Sequence, residues 1–435
     1  MRAEKPSRRT LLIRYGALLG LGVAIFGVKH FAGRKSDNSN PNLKSASIAA
    51  AGLIPADAKP SVTSGLEWQA PMRNYPSPDT FTYQNKAMEA HYAADSLLNA
   101  RVNVYLQRYR PETGVILVAD LKSGQVLALG EREDTAISAK PRLAFGSGYP
   151  AASLIKILTA VAALECNSKY LTDSIPQWGS YHTLYRSQLH LDRPGRQAKI
   201  SLEDAFAKSV NPAFGLMGLS MGPERLRNQA ARLGFNQPVL PIGVAESRIE
   251  FPDSGFSLAE AACGFTKKTT ISPWHALEIA RGAGDDGKLR ACSFIHSITD
   301  LSEGKEMALN LDGGDLFLST QNLPKLQALM QATVRVGTAR KGFHSILKAS
   351  HLEKIEAGGK TGSLDGDEET RGRFDWFIGY VRLKDDHSRG LAFSIMLVHR
   401  EYASIHASMM AALLIRDWLT GLEKTHKAEL AYRAV

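Results

Sequence analysis

Three short groups of residues carry types suited to nucleophilic chemistry: Ser153-Leu154-Ile155-Lys156, Ser209-Val210-Asn211 and Lys360-Thr361-Gly362, in that order along the chain. A serine hydroxyl is a poor nucleophile until a base takes its proton, and Lys156 is the candidate base. Three positions apart on a helix, Ser153 and Lys156 share one face. Ser153 follows Tyr149-Pro150 at a helix start, where free N–H groups and partial positive charge collect. Ile155, Ile157 and Leu158 flank Lys156, so burial should push its pKa down, and Lys360 as a second cation should push the same way. Ser209 and Asn211 lie just before Pro212, where a short turn can aim both into a cleft, Ser209 to relay a proton and Asn211 to hold an amide. Lys360-Thr361-Gly362-Ser363 ends a strand that starts at Ile355. Period two puts Thr361 and Ser363 on one side, suited to a terminal carboxylate, and Gly362 removes a side chain where another backbone must approach.

Each group alone is weak. SxxK recurs at Ser302–Lys305 and Ser345–Lys348, SxN at Ser36-Asp37-Asn38, and a KSG variant at Lys122-Ser123-Gly124. Taken singly, Ser153 reads as a plain helix cap, Lys156 as a solvated helix residue and Lys360-Thr361-Gly362 as a strand end. Only the groups at 153, 209 and 360 combine the order with a helix start, a turn and a strand end.

The elements that must position them follow from periodicity. Val115–Asp120 and Gln125–Leu129 are apolar runs around Lys122-Ser123-Gly124 and read as a β-hairpin. Residues 83–107 have a helix-like pattern. Further helices are expected over Ser153–Asn167, from Ser201, over Pro223–Leu233 ending at Gly234, from a capping box of Ser257 and Glu260, and from Ser272-Pro273 to Gly282. Strands return at Ile355–Thr361, Asp375–Leu383 and Leu391–His399, with a final apolar helix near Ile405–Leu419. This order predicts an α+β fold in which the early hairpin joins the late strands in one antiparallel sheet.

The N-terminus carries an address. Arg2, Lys5, Arg8 and Arg9 precede an apolar stretch from Leu11 to Val28, broken once by Arg14. At ~1.5 Å per residue it reaches roughly 27 Å, marginally enough to cross a bilayer. A signal anchor over 1–28 with a cytoplasmic N-terminus is the favoured expectation, ahead of a cleaved export signal, of which Ser7-Arg8-Arg9-Thr10-Leu11-Leu12 carries the twin-arginine pattern. Residues 29–80, rich in Ser, Asn, Ala and Pro, read as a flexible tether. A globular domain is expected over 81–422 and a tail over 423–435.

The chain has 435 residues, 44% apolar and 22% charged, as in ordinary globular proteins. Its net charge of +10 favours anionic surroundings such as lipid headgroups or wall polymers, and no basic run interleaved with aromatics points to nucleic acid. Cys166, Cys263 and Cys292 are too far apart for metal-ligand spacing and read as small buried apolar residues. The twelve histidines show no metal-type pairing. Gly282 to Lys288 spells GxxxxGK, but Leu289 follows and a helix precedes it, so it reads as an acidic turn.

At its three motifs the chain resembles the transpeptidase domain of penicillin-binding proteins. The resemblance extends to the hairpin Gly114–Gly130, the segment Ile200–Ser209, the helix and turn from Ile271 to Lys288, Val334-Arg335-Val336-Gly337-Thr338-Ala339, and Asp375-Trp376-Phe377-Ile378-Gly379-Tyr380. It covers about residues 81–422. It implies an antiparallel sheet flanked by helices with an all-helical subdomain, and no metal or cofactor. It implies that Ser153 attacks the penultimate D-Ala carbonyl of D-Ala-D-Ala stem peptides of peptidoglycan, and that β-lactam antibiotics acylate the same serine. By the same resemblance Lys156 is the base and Ser209 the proton shuttle. Asn211 and Lys360 orient substrate and charge, Thr361 and Ser363 bind carboxylate, and the N–H groups of Ser153 and Ser363 form the oxyanion hole. Ala151-Ala152 stand where many relatives have Pro-Gly. Neither a glycosyltransferase domain nor a long pedestal fits between anchor and domain.

The implied setting is the cytoplasmic membrane, crossed once, with the catalytic domain on the periplasmic side beside other wall-synthesis proteins. Whether the acyl group passes to another peptide's amine (D,D-transpeptidase) or to water (D,D-carboxypeptidase) is not written in the motifs. A serine β-lactamase and a non-catalytic β-lactam sensor or scaffold share the fold. Against the first, Glu224-Arg225-Leu226-Arg227-Asn228 spells ExxxN but falls inside an apparent helix, and Asn211 stands where class D enzymes carry an apolar residue.

Overall fold

The computed structural model describes residues 75–433 apart from 84, 134–135, 139–142, 191–197, 240–242, 309–310, 312, 367–371 and 401–402. All of these fall within one compact unit, Ala46–Val435. The expected anchor over 1–28 and nearly all of the tether over 29–80 lie outside the described residues. Among the described residues, no helix is long and apolar enough to cross a membrane.

Along the chain, strands β1 (Asp79–Tyr83) and β2 (Lys86–Tyr92) precede helix α1 (Ser96–Tyr109), followed by β3 (Thr113–Asp120), β4 (Val126–Glu133) and β5 (Ala136–Ser138). A helical stretch comes next: α2 (Ile155–Glu165), α3 (Leu202–Ala207), α4 (Asn211–Met221), α5 (Pro223–Arg232), α6 (Gly255–Cys263) and α7 (Pro273–Gly284). Then follow β6 (Ile295–Asp300), β7 (Lys305–Ala308), α8 (Leu323–Arg335), β8 (Ile355–Asp365), β9 (Arg373–Leu383), β10 (Gly390–His399) and α9 (Ala407–Arg433).

Among the described residues the main sheet has six strands in the order β8-β9-β10-β3-β4-β5, all antiparallel. The early hairpin therefore joins the late strands, as the sequence predicts. Both faces are covered, which explains the continuous apolar runs. In β3, Val115, Leu117 and Ala119 face one core, and Ile116 and Val118 face another. The first core holds α2–α7, and the second holds α1 and α9. Side chains of a strand alternate between faces, so one segment serves both cores.

Three expectations need correction. Residues 83–107 are not one helix: β2 is followed by α1, whose cap Asp95 accepts a hydrogen bond from the Leu98 N–H at 2.8 Å. Lys86-Ala87-Met88-Glu89-Ala90 carries helix-forming residues, but antiparallel pairing with β1 and β6 overrides that preference. The resulting four-stranded sheet, β1-β2-β6-β7, has no counterpart in the sequence reading. Its β1 begins at Asp79, inside the stretch read as tether. Finally, α6 starts at Gly255 after Ser254 rather than from a box of Ser257 and Glu260.

Candidate active site

Ser153 lies in a 3-10 turn, Ala152–Leu154, that runs directly into α2. Three contacts fix that turn. The Trp376 indole N–H of β9 donates to the Pro150 carbonyl at 3.0 Å, and the Ala151 N–H donates to the Thr269 carbonyl at 3.0 Å. At the third, Gly264 ends α6 with φ +72°, and a Cβ there would stand 1.9 Å from the Ala152 carbonyl oxygen. Only glycine accommodates that approach together with left-handed φ. Ala152 itself has φ 49°, a conformation that non-glycine residues adopt at a cost and that clusters at functional sites.

Lys156 is fully buried, and its Nζ lies 2.8 Å from Ser153 Oγ, 2.7 Å from Asn211 Oδ1 and 2.7 Å from the Cys263 carbonyl oxygen. The last two are pure acceptors. The Asn211 amide orientation is set independently, because its Nδ2 donates to the His182 carbonyl at 2.9 Å. A neutral amine has two N–H bonds and one lone pair. With both N–H bonds taken by Asn211 and Cys263, the lone pair is left for the Ser153 hydroxyl. Burial pushes Lys156 down to about 8, so the neutral form is accessible near physiological pH.

The SxN group sits where α3 gives way to α4. Ser209 has φ 56°, and Asn211 opens α4 with Pro212 behind it. The Asn211 N–H donates to the Tyr181 carbonyl at 2.7 Å. Both side chains are buried. Lys360 on β8 donates to Ser209 Oγ at 3.0 Å and to the Thr361 carbonyl at 2.9 Å. It is fully buried, and burial first, then the charge of Lys156, holds its pKa well below the ordinary lysine value. The aromatic faces of Phe214 and Phe206 lie 5.8 Å from Lys156 Nζ and 5.6 Å from Lys360 Nζ, which eases either charge when present.

Strand β8 continues past the motif to Asp365, so Thr361, Gly362 and Ser363 are strand residues rather than a strand end. A Cβ on Gly362 would stand 3.4 Å from Ala152 Cβ and Leu154 Cγ, which places the strand against the nucleophile turn. Gly362 is buried, whereas Thr361 is partly open and Ser363 exposed. The residues singled out from the sequence thus fall into two linked sets: Ser153, Lys156 and Asn211, and Ser209 with Lys360. Thr361, Gly362 and Ser363 run alongside.

Of the competing motifs, Ser36-Asp37-Asn38 lies outside the described residues, and the other three stay apart from this cluster. Ser302 is engaged with Asp300 in a turn, Ser345 bonds the Gly342 carbonyl, and Lys122-Ser123-Gly124 is the hairpin turn with φ 74° at Gly124. Glu224 and Asn228 stand exposed on α5. The cysteines are free, with Cys263 and Cys292 fully enclosed. Among the described residues, no group of His, Cys, Asp or Glu could hold a metal ion.

Sequence reasoning missed the carbonyls of Tyr181, His182 and Cys263, because a main-chain acceptor carries no side-chain signature. Gly264, which turns the Cys263 carbonyl and admits Ala152, was legible only as one more glycine.

The fold is similar to that of penicillin-binding protein A from M. tuberculosis in its imipenem acyl-enzyme complex, with a TM-score of 0.58, 21% identity, and coverage of 76% of this chain and 79% of that chain. In sequence the chain is similar to the peptidoglycan D,D-transpeptidase PbpA of Mycolicibacterium smegmatis, 25% identical over 253 residues, which is 56% of this chain and 49% of that protein. It is also similar to the protein of the same name from Mycobacterium tuberculosis, 32% identical over 157 residues, 33% of this chain and 30% of that protein. The chain spans about half or less of the length of these relatives. Residues 114–414 match the penicillin-binding protein transpeptidase domain, well over half of the 435 residues. With the nucleophile turn, the SxN turn and the KTG strand gathered around two buried lysines inside the matched region, the chain belongs to the penicillin-binding protein transpeptidase domain family.

Proposed function

We propose that the protein is a serine D,D-transpeptidase acting on D-Ala-D-Ala stem peptides of peptidoglycan and acylated by β-lactams at Ser153. The observation that carries this reading is the three-way contact of Lys156 Nζ, which leaves one lone pair facing Ser153 Oγ. Ser153 Oγ attacks the penultimate D-Ala carbonyl as its proton passes to Lys156. The developing oxyanion is received by the N–H groups of Ser153 and Ser363. The proton taken by Lys156 is relayed through Ser209, which is bonded to Lys360, to the departing D-Ala amine as the peptide bond breaks, leaving an ester on Ser153 and Lys156 neutral again. The amine of a second stem peptide then attacks the ester, loses its proton to Lys156, and returns Ser153 to its hydroxyl form. Asn211 holds a substrate amide, and Thr361 and Ser363 take the terminal carboxylate. If water replaces the amine, the same steps give a D,D-carboxypeptidase.

The exposed position of Glu224 supports this over a class A β-lactamase, which needs a deacylating glutamate at the acyl group. The basic, apolar N-terminus supports a single membrane crossing over 1–28, with residues 81–422 as the catalytic domain on the periplasmic side. The test is incubation with a synthetic stem pentapeptide and an acceptor amine. Release of D-Ala with a cross-linked product, lost in Ser153→Ala by on the order of 10³-fold or more, is expected. Release of D-Ala with trimming alone assigns a carboxypeptidase, and no D-Ala release overturns the reading.

A further inference from the structure

Thr338 lies outside the three motifs, yet its Oγ1 stands 2.5 Å from Oγ1 of Thr361, the central residue of the KTG group. Its position is tightly imposed. The Thr338 N–H donates to the Ala207 carbonyl at 3.0 Å. A Cβ on Gly337 would stand 2.2 Å from the Ala207 carbonyl oxygen, so the turn can approach the end of α3 only with glycine there. Ala339 is fully buried, and its N–H donates to the Thr333 carbonyl at 3.1 Å. Arg335 at the end of α8 pairs with Glu203 of α3 at 2.6 Å. The turn after α8 is thus clamped to the helix that leads into Ser209, and Thr338 reaches from it to β8.

A hydroxyl has one proton to give and two lone pairs to accept with. If Thr361 gives its proton to Thr338, none is left for a ligand. If Thr338 donates, the Thr361 proton is free to point at an anion, and the chain of two hydrogen bonds polarises in that direction. An arriving carboxylate can only accept, so it selects the second arrangement. We propose that Thr338 is a positioning residue that donates its hydroxyl proton to Thr361 Oγ1 and so turns the Thr361 hydroxyl onto the terminal carboxylate of the substrate. This rests on the reading of Thr361 as a carboxylate ligand given above.

The experiment measures second-order acylation of the full chain by one β-lactam as its free acid and as its methyl ester. Wild type, Thr338→Val, Thr338→Ser, Thr361→Val and the double variant Thr338→Val/Thr361→Val are compared, with melting temperatures alongside. Thr338→Val is expected to slow the free acid by on the order of 10-fold and to leave the ester within about 2-fold, since hydrogen bonds to charged groups are the stronger ones. Thr338→Ser restores the free-acid rate, and the double variant is no slower than Thr361→Val. An equal loss for acid and ester, or losses that add in the double variant, overturns the proposal while leaving Ser153 as nucleophile. If Thr338→Val does not fold, Thr338→Ala replaces it under the same criteria. A wild type that is acylated by neither compound overturns this inference together with the reading of the site.

Discussion

At the scale of single residues, acylation turns on how Lys156 becomes a base. Its two N–H bonds are spoken for by Asn211 Oδ1 and the Cys263 carbonyl, and burial holds its pKa near 8. Only the neutral form accepts a proton from Ser153, so acylation should rise as pH climbs through about 8 and fall on the acid side. The shift of Lys156 comes from burial and not, as the sequence suggests, from Lys360; it is the charge of Lys156 that, after burial, lowers Lys360, so the limb near 8 belongs to Lys156. A stopped-flow pH profile of β-lactam acylation checks this, and a flat profile between pH 6 and 9 contradicts it. Asn211→Asp places a carboxylate beside Lys156 and favours the ammonium form. The same profile should shift to higher pH by roughly one unit or more, with a lower rate at neutral pH. Lys156→Arg keeps a cation that does not lose its proton, and acylation should fall by on the order of 10³-fold.

At the scale of elements, Gly264 and Gly337, with Ala152 and Ser209 in the left-handed region, set the distances. Gly264→Ala forces a Cβ toward the Ala152 carbonyl at a position with φ +72°. The strain should destabilise the fold by about 1–3 kcal/mol and displace the Ser153 turn, so acylation falls further than the loss of folded protein explains. Thermal melts read beside acylation rates separate the two effects, and a variant that melts lower but acylates at the wild-type rate would show that the turn is not held by this contact. The elements were unevenly legible. The hairpin of β3 and β4 and strands β9 and β10 announce themselves because apolar runs covered on both faces admit few other readings, whereas β8 is marked by its Lys360-Thr361-Gly362 motif. The sheet of β1, β2, β6 and β7 does not. Its strands are short and mixed in polarity, and β2 meets β6 across about two hundred residues, so its signal lies in the pairing. Among site residues, every side chain of the three motifs was legible from order and spacing. The carbonyl of Cys263 and the clamp around Thr338 were not, because they depend on where distant backbone arrives.

At the scale of the whole molecule, the site is a seam. Ser153, Lys156, Ser209 and Asn211 belong to the helical stretch, while Lys360 and Thr361 belong to the edge strand of the main sheet. The contact of Lys360 with Ser209 and that of Thr338 with Thr361 tie one part to the other. The assignment of SxxK at 153 over its two rivals, made from motif order and local sequence, is supported by this convergence. On the proposed function, Ser153, and no other serine, is the acylated nucleophile. Incubation of the protein with a penicillin, followed by intact-mass analysis and peptide mapping, tests it most directly. One stable adduct of the intact antibiotic's mass is expected on the peptide containing Ser153, absent in Ser153→Ala. An adduct on Ser302 or Ser345, an adduct that survives Ser153→Ala, or no adduct with any β-lactam would contradict it.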